Sequence, residues 1–359
     1  MVVPYDLAEE GGVKRHAFHL ATSLRKLGDD VTIMGASSTP QTDPQIHGFG
    51  GILNIRSNGS DNRLAILTPP WRIRRWLHDH AFDVVHIHEP LCPLLAPWAS
   101  LFAGRAVRVA TFHAFAEKEQ FWPRLMRRWS GPLVLRRFAR GIAVSTPAET
   151  YARYVWKREL AIIPNGVPTT TFHPNGRSEP GTGPVRLLFV GHWRDARKGL
   201  PTLLAAYDQL RARGVPVTLD VIGKGPTAEP PTLPGVTFHG GVSSEHEIAS
   251  HLRACDVFVA PTTGQESFGI VLLEAMASGC PIVCSDIDGY RQVVTTGNAR
   301  LVPPESPEAL SQAIEALAGA PAERRAMSLR NRRRAEGYDW DQIGHRVRDE
   351  YIAAIAENR

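Results

Sequence analysis

The run Gly264-Gln265-Glu266-Ser267-Phe268-Gly269-Ile270-Val271-Leu272-Leu273-Glu274-Ala275-Met276-Ala277-Ser278-Gly279-Cys280 carries a polar, glycine-bearing loop into a helix and on toward the apolar Ile282-Val283-Cys284. Ser267 stands where a helix cap belongs, Phe268 to Ala277 are good or neutral helix formers, and Gly279 with Pro281 ends the helix. Loop, helix and strand in this order are the repeating unit of a layered parallel sheet. Glu266 and Glu274 stand eight residues apart, one before the helix and one about two turns inside it, both toward the same end of the domain. Between them the N–H groups of Phe268, Gly269 and Ile270 are expected to form a helix N-terminus, where unpaired donors and the dipole stabilise a phosphate. A carboxylate such as Glu274, set among Ile270, Val271, Leu272 and Leu273, is costly to bury unless something pairs with it. A ligand with two vicinal hydroxyls, such as a ribose, would satisfy it.

The same alternation of short apolar strands and helices runs both ways along the chain, which predicts an α/β protein with parallel, doubly wound sheets. At 359 residues the chain is too long for one ordinary core and suits two domains. The expected division is a first domain over 1–170, a linker over 171–184 rich in Pro, Gly and Ser, a second domain over 185–338, and a terminal segment 339–359. No run of about 18 apolar residues is present, so no spanning helix is expected. Met1 is not followed by a basic region, apolar core and small-residue cleavage site, which points to a cytoplasmic protein. The four cysteines lack C-x-x-C spacing and read as buried thiols.

A net charge of +5 favours an anionic partner. Trp71-Arg72-Ile73-Arg74-Arg75-Trp76 and the segment Phe121 to Arg140, with six arginines and no acid, interleave basic and aromatic residues. Arg72, Arg74, Arg75 and the arginines from Arg124 to Arg140 are therefore expected to face an anionic membrane surface.

Two further constellations complete the pattern. Gly191-His192-Trp193-Arg194-Asp195-Ala196-Arg197-Lys198-Gly199 follows a strand and opens a helix, placing Arg197 and Lys198 where a diphosphate would sit. Turns at Gly223-Lys224-Gly225 and Gly240-Gly241-Val242-Ser243 expose backbone groups at strand ends. In the first half stand Tyr5 with Gly11-Gly12-Val13, Ser57-Asn58-Gly59-Ser60 with Arg63, Asp83-Val84-Val85-His86-Ile87-His88-Glu89-Pro90, and Thr111-Phe112-His113-Ala114 with Lys118. His86, His88 and Glu89 resemble part of a metal site, since alternate strand residues share a face, but no third ligand is evident. Asp286-Ile287-Asp288 reads as a loop.

The string from Gly264 to Gly279 resembles the signature of the retaining glycosyltransferases of family four, which have the GT-B fold: two Rossmann-like domains facing across a cleft. The first-half pieces, in this order and spacing, resemble the branch that mannosylates phosphatidylinositol. That resemblance implies mannose transfer from GDP-mannose to an inositol phospholipid on the cytoplasmic membrane face, with no required metal or cofactor. It implies catalytic roles for His113, Glu266 and Lys198, and donor contacts from Gly12, His192, Arg197, Lys198, Val242, Ser243, Ser244, Glu266, Ser267, Phe268, Gly269, Ile270 and Glu274. It implies acceptor contacts around Tyr5, Lys14, Ser57, Asn58, Arg63 and Lys118, and a last helix, about Trp340 to Glu357, packing back toward the first domain. Departures are His192, where Arg is usual and Arg194 could reach in instead, Lys14 in place of Gln, Ser57 in place of Tyr, and Ala114 in place of Thr. The same fold also serves other lipid or glycan acceptors, other nucleotide sugars, and sugar-nucleotide epimerases. A nucleic-acid-binding protein would use the charge but leave the Glu266 to Glu274 string without purpose.

Overall fold

The computed structural model describes residues 1–9, 11–50, 52–57, 60–65, 68–115, 131–176, 183–193, 195–225, 230–242 and 244–358, with backbone alone for 53–57, 60–65 and 132. The chain divides into two compact units, Met1–Gly166 with Trp340–Arg359, and Val167–Asp339.

In the first unit β1 (Val2–Asp6) leads into α1 (Gly12–Lys26), whose Ala17, Leu20, Ala21 and Leu24 form one buried stripe at helical spacing. There follow β2 (Ile33–Ala36), β3 (Ile46–Phe49), β4 (Ile52–Ser57), β5 (Ser60–Ala65), α2 (Pro70–His80), β6 (Val84–His88), α3 (Leu95–Phe102), β7 (Val107–Phe112), α4 (Gly131–Leu135), β8 (Arg140–Ala143), α5 (Thr146–Ala152) and β9 (Ala161–Ile162). The strands lie in the order β3-β2-β1-β6-β7-β8-β9, all parallel, with the antiparallel hairpin β4–β5 attached to β1 at Tyr5. The terminal helix Trp340–Glu357 belongs to this unit, where Ile343 and Val347 join the core around α1 and the ring of Trp340 leaves no room for a Cβ at Gly166.

The second unit contains β10 (Val185–Val190), a 3-10 turn (Ala196–Lys198), α6 (Leu200–Ala212), β11 (Val217–Ile222), β12 (Val236–Gly240), α7 (Glu245–Ala254), β13 (Val257–Ala260), α8 (Ile270–Ala277), β14 (Ile282–Ser285), α9 (Asp288–Arg291), β15 (Arg300–Val302), α10 (Pro307–Ala318) and α11 (Pro321–Glu336). Its strand order is β12-β11-β10-β13-β14-β15, all parallel. Each sheet therefore reverses direction beside its first strand, between β1 and β6 and between β10 and β13. In open α/β sheets, ligands bind beyond the carboxyl ends of the strands at this point.

Three expectations need correction. The first unit ends at Gly166, not at 170, and the segment expected as linker begins inside the second unit. Phe172 is fully buried there, and Arg332 of α11 holds the carbonyls of Thr169 and Phe172 at 3.3 and 3.0 Å together with that of Ala277 at 3.0 Å. α11 itself escapes a periodicity search because its buried positions are Arg324, Met327, Asn331 and Ala335, anchored by polar groups more than by an apolar stripe. Ser267 does not cap α8: Gly269 does, at φ +92°, a left-handed conformation that a side chain resists, and the helix starts at Ile270.

Candidate active site

At the switch point of the second unit two loops are joined backbone to backbone. Gly199 has φ +75°, and a Cβ there would lie 1.9 Å from the carbonyl oxygen of Pro261, so only glycine permits this approach. Thr263 N–H donates to the Arg197 carbonyl at 2.8 Å, which extends the seam by one hydrogen bond. The join sets the Lys198 ammonium 2.8 Å from Oε2 of Glu266. Burial pushes the Glu266 carboxyl up, but the charge and hydrogen bond of Lys198, the charge of Arg197 and the backbone N–H of Phe268 outweigh it, holding Glu266 below the usual carboxylate range. The Phe268 N–H, expected to be free for a phosphate, is therefore directed to Glu266.

Arg197 is also more tightly held than its place in the motif implies. Asp195 accepts from its backbone N–H at 3.0 Å and grips its guanidinium at 3.0 and 2.5 Å, so local positive charge is partly compensated. Burial raises the Asp195 carboxyl, while the Arg197 hydrogen bonds and the charges of Arg197 and Lys198 bring it below its ordinary value. From the other side α9 supports the loop: a Cβ at Gly289 would meet the Glu266 carbonyl oxygen at 2.0 Å, and the buried Tyr290 hydroxyl bonds Thr262 at 2.6 Å. Glu274 is 2 % exposed and has a partner within the protein, so its burial is already supported before any ligand arrives. Ser267 and Ile270 are half-buried at the mouth of α8, with Phe268 and Gly269 buried.

His192 is exposed, with Nδ1 accepting the Lys224 N–H at 3.4 Å. Val242 packs half-buried against the core, and Ser244 is the exposed N-cap of α7 without a side-chain cap bond. Ser243 and Arg194 lie outside the described residues. The Asp286-Ile287-Asp288 stretch leads into α9, with Asp286 held by Arg291 at 2.6 and 2.7 Å.

The first unit assembles a different cluster at its own switch point. His16 comes from α1, His86 and His88 from β6, and His113 from the end of β7; all four are buried. The rings of His16 and His113 meet edge to face at 4.7 Å, and His88 Nδ1 lies 3.0 Å from His113 Nε2. His16 Nδ1 bonds the side-chain oxygen of Asn165 at 2.8 Å, and His86 bridges Tyr351 at 2.5 Å and Thr111 at 2.7 Å. Burial drives all four rings toward the neutral form, with His16 brought down to about 4. Strand alternation set His86 and His88 beside Glu89 without a third ligand, and no metal is expected from them; the ring nitrogens that lie within 4.8 Å of one another are those of His16, His88 and His113. Any cation there would have to displace the His88–His113 hydrogen bond.

Gly12 is exposed at the start of α1, and the Lys14 ammonium lies 5.7 Å from the ring of Phe18. Tyr5 sits in β1, where burial and the nearby Cys92 and Glu89 push its hydroxyl up. Asn58 and Lys118 lie outside the described residues, and for Ser57 and Arg63 only the backbone is described. Of the two basic segments, α2 exposes Arg72, Arg74 and Arg75 beside Trp71, which is 70 % exposed. Trp76, expected at the surface, packs instead against His47, His80 and Phe82. Arg136 and Arg137 are exposed, residues 116–130 lie outside the described set, and Arg140 is taken by Glu350 at 3.0 Å and by Glu357. Among the described residues no helix is long and apolar enough to cross a membrane.

Two doubly wound units, one with an ion pair and a helix start at its switch point, define the GT-B class of sugar-transferring enzymes. Residues 10–171 match the family described as Glycosyltransferase Family 4, and residues 184–319 match Glycosyl transferases group 1. The chain is 32 % identical to the phosphatidyl-myo-inositol mannosyltransferase of Mycobacterium leprae, over 97 % of this chain and 94 % of that one. It is 34 % identical to the protein of the same name from Mycolicibacterium smegmatis, over 97 % and 91 %. A glycosyltransferase from Rickettsia africae superposes with a TM-score of 0.77 at 18 % identity, covering 99 % of this chain and 97 % of that one. Anabaena HepE, solved with UDP-glucose, superposes with a TM-score of 0.76 at 18 % identity, covering 98 % of each. The chain belongs to glycosyltransferase family 4, and within that family it is similar to the phosphatidyl-myo-inositol mannosyltransferases.

Proposed function

We propose that the protein transfers mannose from GDP-mannose to a phosphatidylinositol-type lipid, with retention of anomeric configuration, while bound peripherally to the inner face of the membrane. The observation that carries the reading is the Lys198–Glu266 pair at the switch point of the second unit, on a chain similar along nearly its whole length to phosphatidyl-myo-inositol mannosyltransferases. Glu274 holds the ribose, and Glu266 orients the sugar while keeping Lys198 in place. As the sugar–phosphate bond breaks, negative charge grows on the leaving diphosphate; Lys198, Arg197 and the α8 N-terminus stabilise it. His192, Val242, Ser243, Ser244, Ser267, Phe268, Gly269 and Ile270 line the rest of the donor, with Gly12 near its phosphates.

The acceptor hydroxyl attacks on the face from which the diphosphate leaves, and a diphosphate oxygen takes its proton. No carboxylate nucleophile is needed, unlike the paired-carboxylate route of retaining hydrolases. His113, neutral and buried, meets the sugar by hydrogen bonding, and Tyr5, Lys14, Ser57, Asn58, Arg63 and Lys118 receive the inositol phosphate. No metal or other cofactor takes part. The test is incubation of the pure protein with a panel of nucleotide sugars and lipids. Product from GDP-mannose and phosphatidylinositol, with an α linkage and without added metal, supports the reading. Transfer from another nucleotide sugar, or to a glycan alone, replaces it. Turnover without acceptor to a new sugar nucleotide would mark an epimerase.

A further inference from the structure

His113 is the first-unit residue assigned to the sugar, and it is held from two directions by His88, the last residue of β6, and by Glu89 just after it. Oε1 of Glu89 accepts the backbone N–H of His113 at 2.6 Å and that of Ala114 at 2.7 Å, so one carboxylate oxygen closes the first two amides beyond β7. Glu89 reaches them because its own backbone is left-handed, at φ +50°, a conformation rare outside glycine and asparagine. Its N–H donates to the Thr111 carbonyl at 2.8 Å, and its carbonyl accepts from Cys92 at 2.9 Å, so neighbours on both sides enforce the turn. Strained, over-determined backbone of this kind is characteristic of functional sites.

The ring is fixed by His88. Its Nδ1 lies 3.0 Å from His113 Nε2, while its Nε2 is buried and has no hydrogen-bond partner among the described residues. Two neutral rings sharing one hydrogen bond admit two proton arrangements. Were His113 the donor, the proton of His88 would sit on Nε2 as a buried N–H without an acceptor, which is rarer and costlier than an unpaired acceptor. His88 is therefore protonated on Nδ1 and donates to His113 Nε2, which leaves the proton of His113 on Nδ1.

We propose that Glu89 and His88 are the positioning residues of His113, Glu89 fixing the backbone that carries it and His88 fixing its tautomer, so that its Nδ1–H is the donor offered to a hydroxyl of the transferred sugar. This rests on the reading of His113 given above. The decisive variant is Glu89→Gly, which removes the carboxylate where the φ of +50° suits glycine, so the turn itself carries no new strain. Mannosyl transfer from GDP-mannose to phosphatidylinositol in mixed micelles is expected to fall roughly tenfold to hundredfold in kcat, as for a misplaced reacting contact, with calorimetric affinity for GDP unchanged. Glu89→Gln keeps a carbonyl oxygen for the same two N–H groups and restores most of that loss. In a His113→Ala background the Glu89→Gly change adds less than about twofold, because both act through one group.

Nitrogen-15 spectra of the ring give the independent readout: His113 is protonated at Nδ1 in the wild type and loses that preference in His88→Phe. Equal losses in the two backgrounds would show that Glu89 acts by itself, and a proton on Nε2 of wild-type His113 would refute the tautomer; either overturns the proposal. Should His113→Ala transfer mannose at the wild-type rate, the role of His113 in transfer falls. The positioning claim then stands or falls on whether Glu89→Gly shifts the His113 and Ala114 amide resonances.

Discussion

The two switch points are built on the same strand order and filled with opposite chemistry. Beside β10 the chain sets Lys198, Glu266, Arg197 and Asp195, all charged and partly open to solvent. Beside β1 it sets four buried histidines, all held neutral. Position in a doubly wound sheet selects where ligands bind, but the side chains there decide what is bound. A charged cluster suits a leaving anion, whereas a neutral imidazole suits a hydroxyl, to which a ring nitrogen not already bonded within the cluster is a donor or an acceptor.

The contrast breaks most directly at Lys198. Lys198→Ala removes the ammonium and leaves Glu266 without its partner, and turnover should fall by about 10²- to 10³-fold, as when one charge-stabilising donor is deleted. A rate within about threefold of wild type in single-turnover assays, well under 1 kcal/mol of barrier, would deny the second switch point its charge role.

The next largest effect is in acid stability, and the two units separate by window. His16 falls from 6.5 unfolded to about 4 folded, so between these values the unfolded chain binds more protons and stability drops as pH falls. That single ring contributes about 3 kcal/mol, fully present above pH 6.5 and lost on approaching pH 4. His86, His88 and His113 act in the same direction. Glu266 and Asp195 are depressed instead, so their contribution persists until pH falls below the ordinary carboxylate range. Hydrogen exchange from pH 7 to 4 is expected to show β6 and β7 losing protection before β10 and β13; the reverse order would mean the histidines do not govern acid lability.

Glu274→Ala sharpens the donor half: losing charge-assisted hydrogen bonds of about 1.5 to 3 kcal/mol each should weaken GDP binding by an order of magnitude or more. An unchanged calorimetric affinity would remove the ribose assignment. The surface effect is the one that salt removes. Replacing Arg72, Arg74 and Arg75 on α2 with glutamate should cost about 1 kcal/mol per residue in binding to anionic vesicles, less at high salt, without touching GDP affinity. Equal wild-type binding to neutral and anionic vesicles would make these arginines a solvated face.

How much of this was legible in the residues depends on whether the signal was local. The alternation of strands and helices and the helix after Glu266 both follow from neighbours within one or two turns. The helix start at Ile270 was missed because Ser267 has the better capping chemistry, whereas the cap is Gly269, in a turn whose Glu266 and Ser267 backbone packs closely against Gly289 of α9. The boundary at Gly166 was missed because Phe172 lies in a Pro-rich stretch that reads as linker, and its burial depends on α11, which comes more than 140 residues later.

The site divides the same way. The carboxylate string and the basic turn announced themselves through spacing, and with them the family. His16 and Asn165 gave no such signal, and Glu89 stood out only as a neighbour of His86 and His88, since what they meet is set by the tertiary fold: β1 lies beside β6 and β6 beside β7, which brings together His16, His88 and His113 from positions up to 97 apart. Local pattern determined the fold class and the charged half of the chemistry. Only the tertiary structure made the neutral half, because burial and a fixed neighbour, neither of them a property of the residue alone, decide whether an imidazole carries charge and which nitrogen holds its proton.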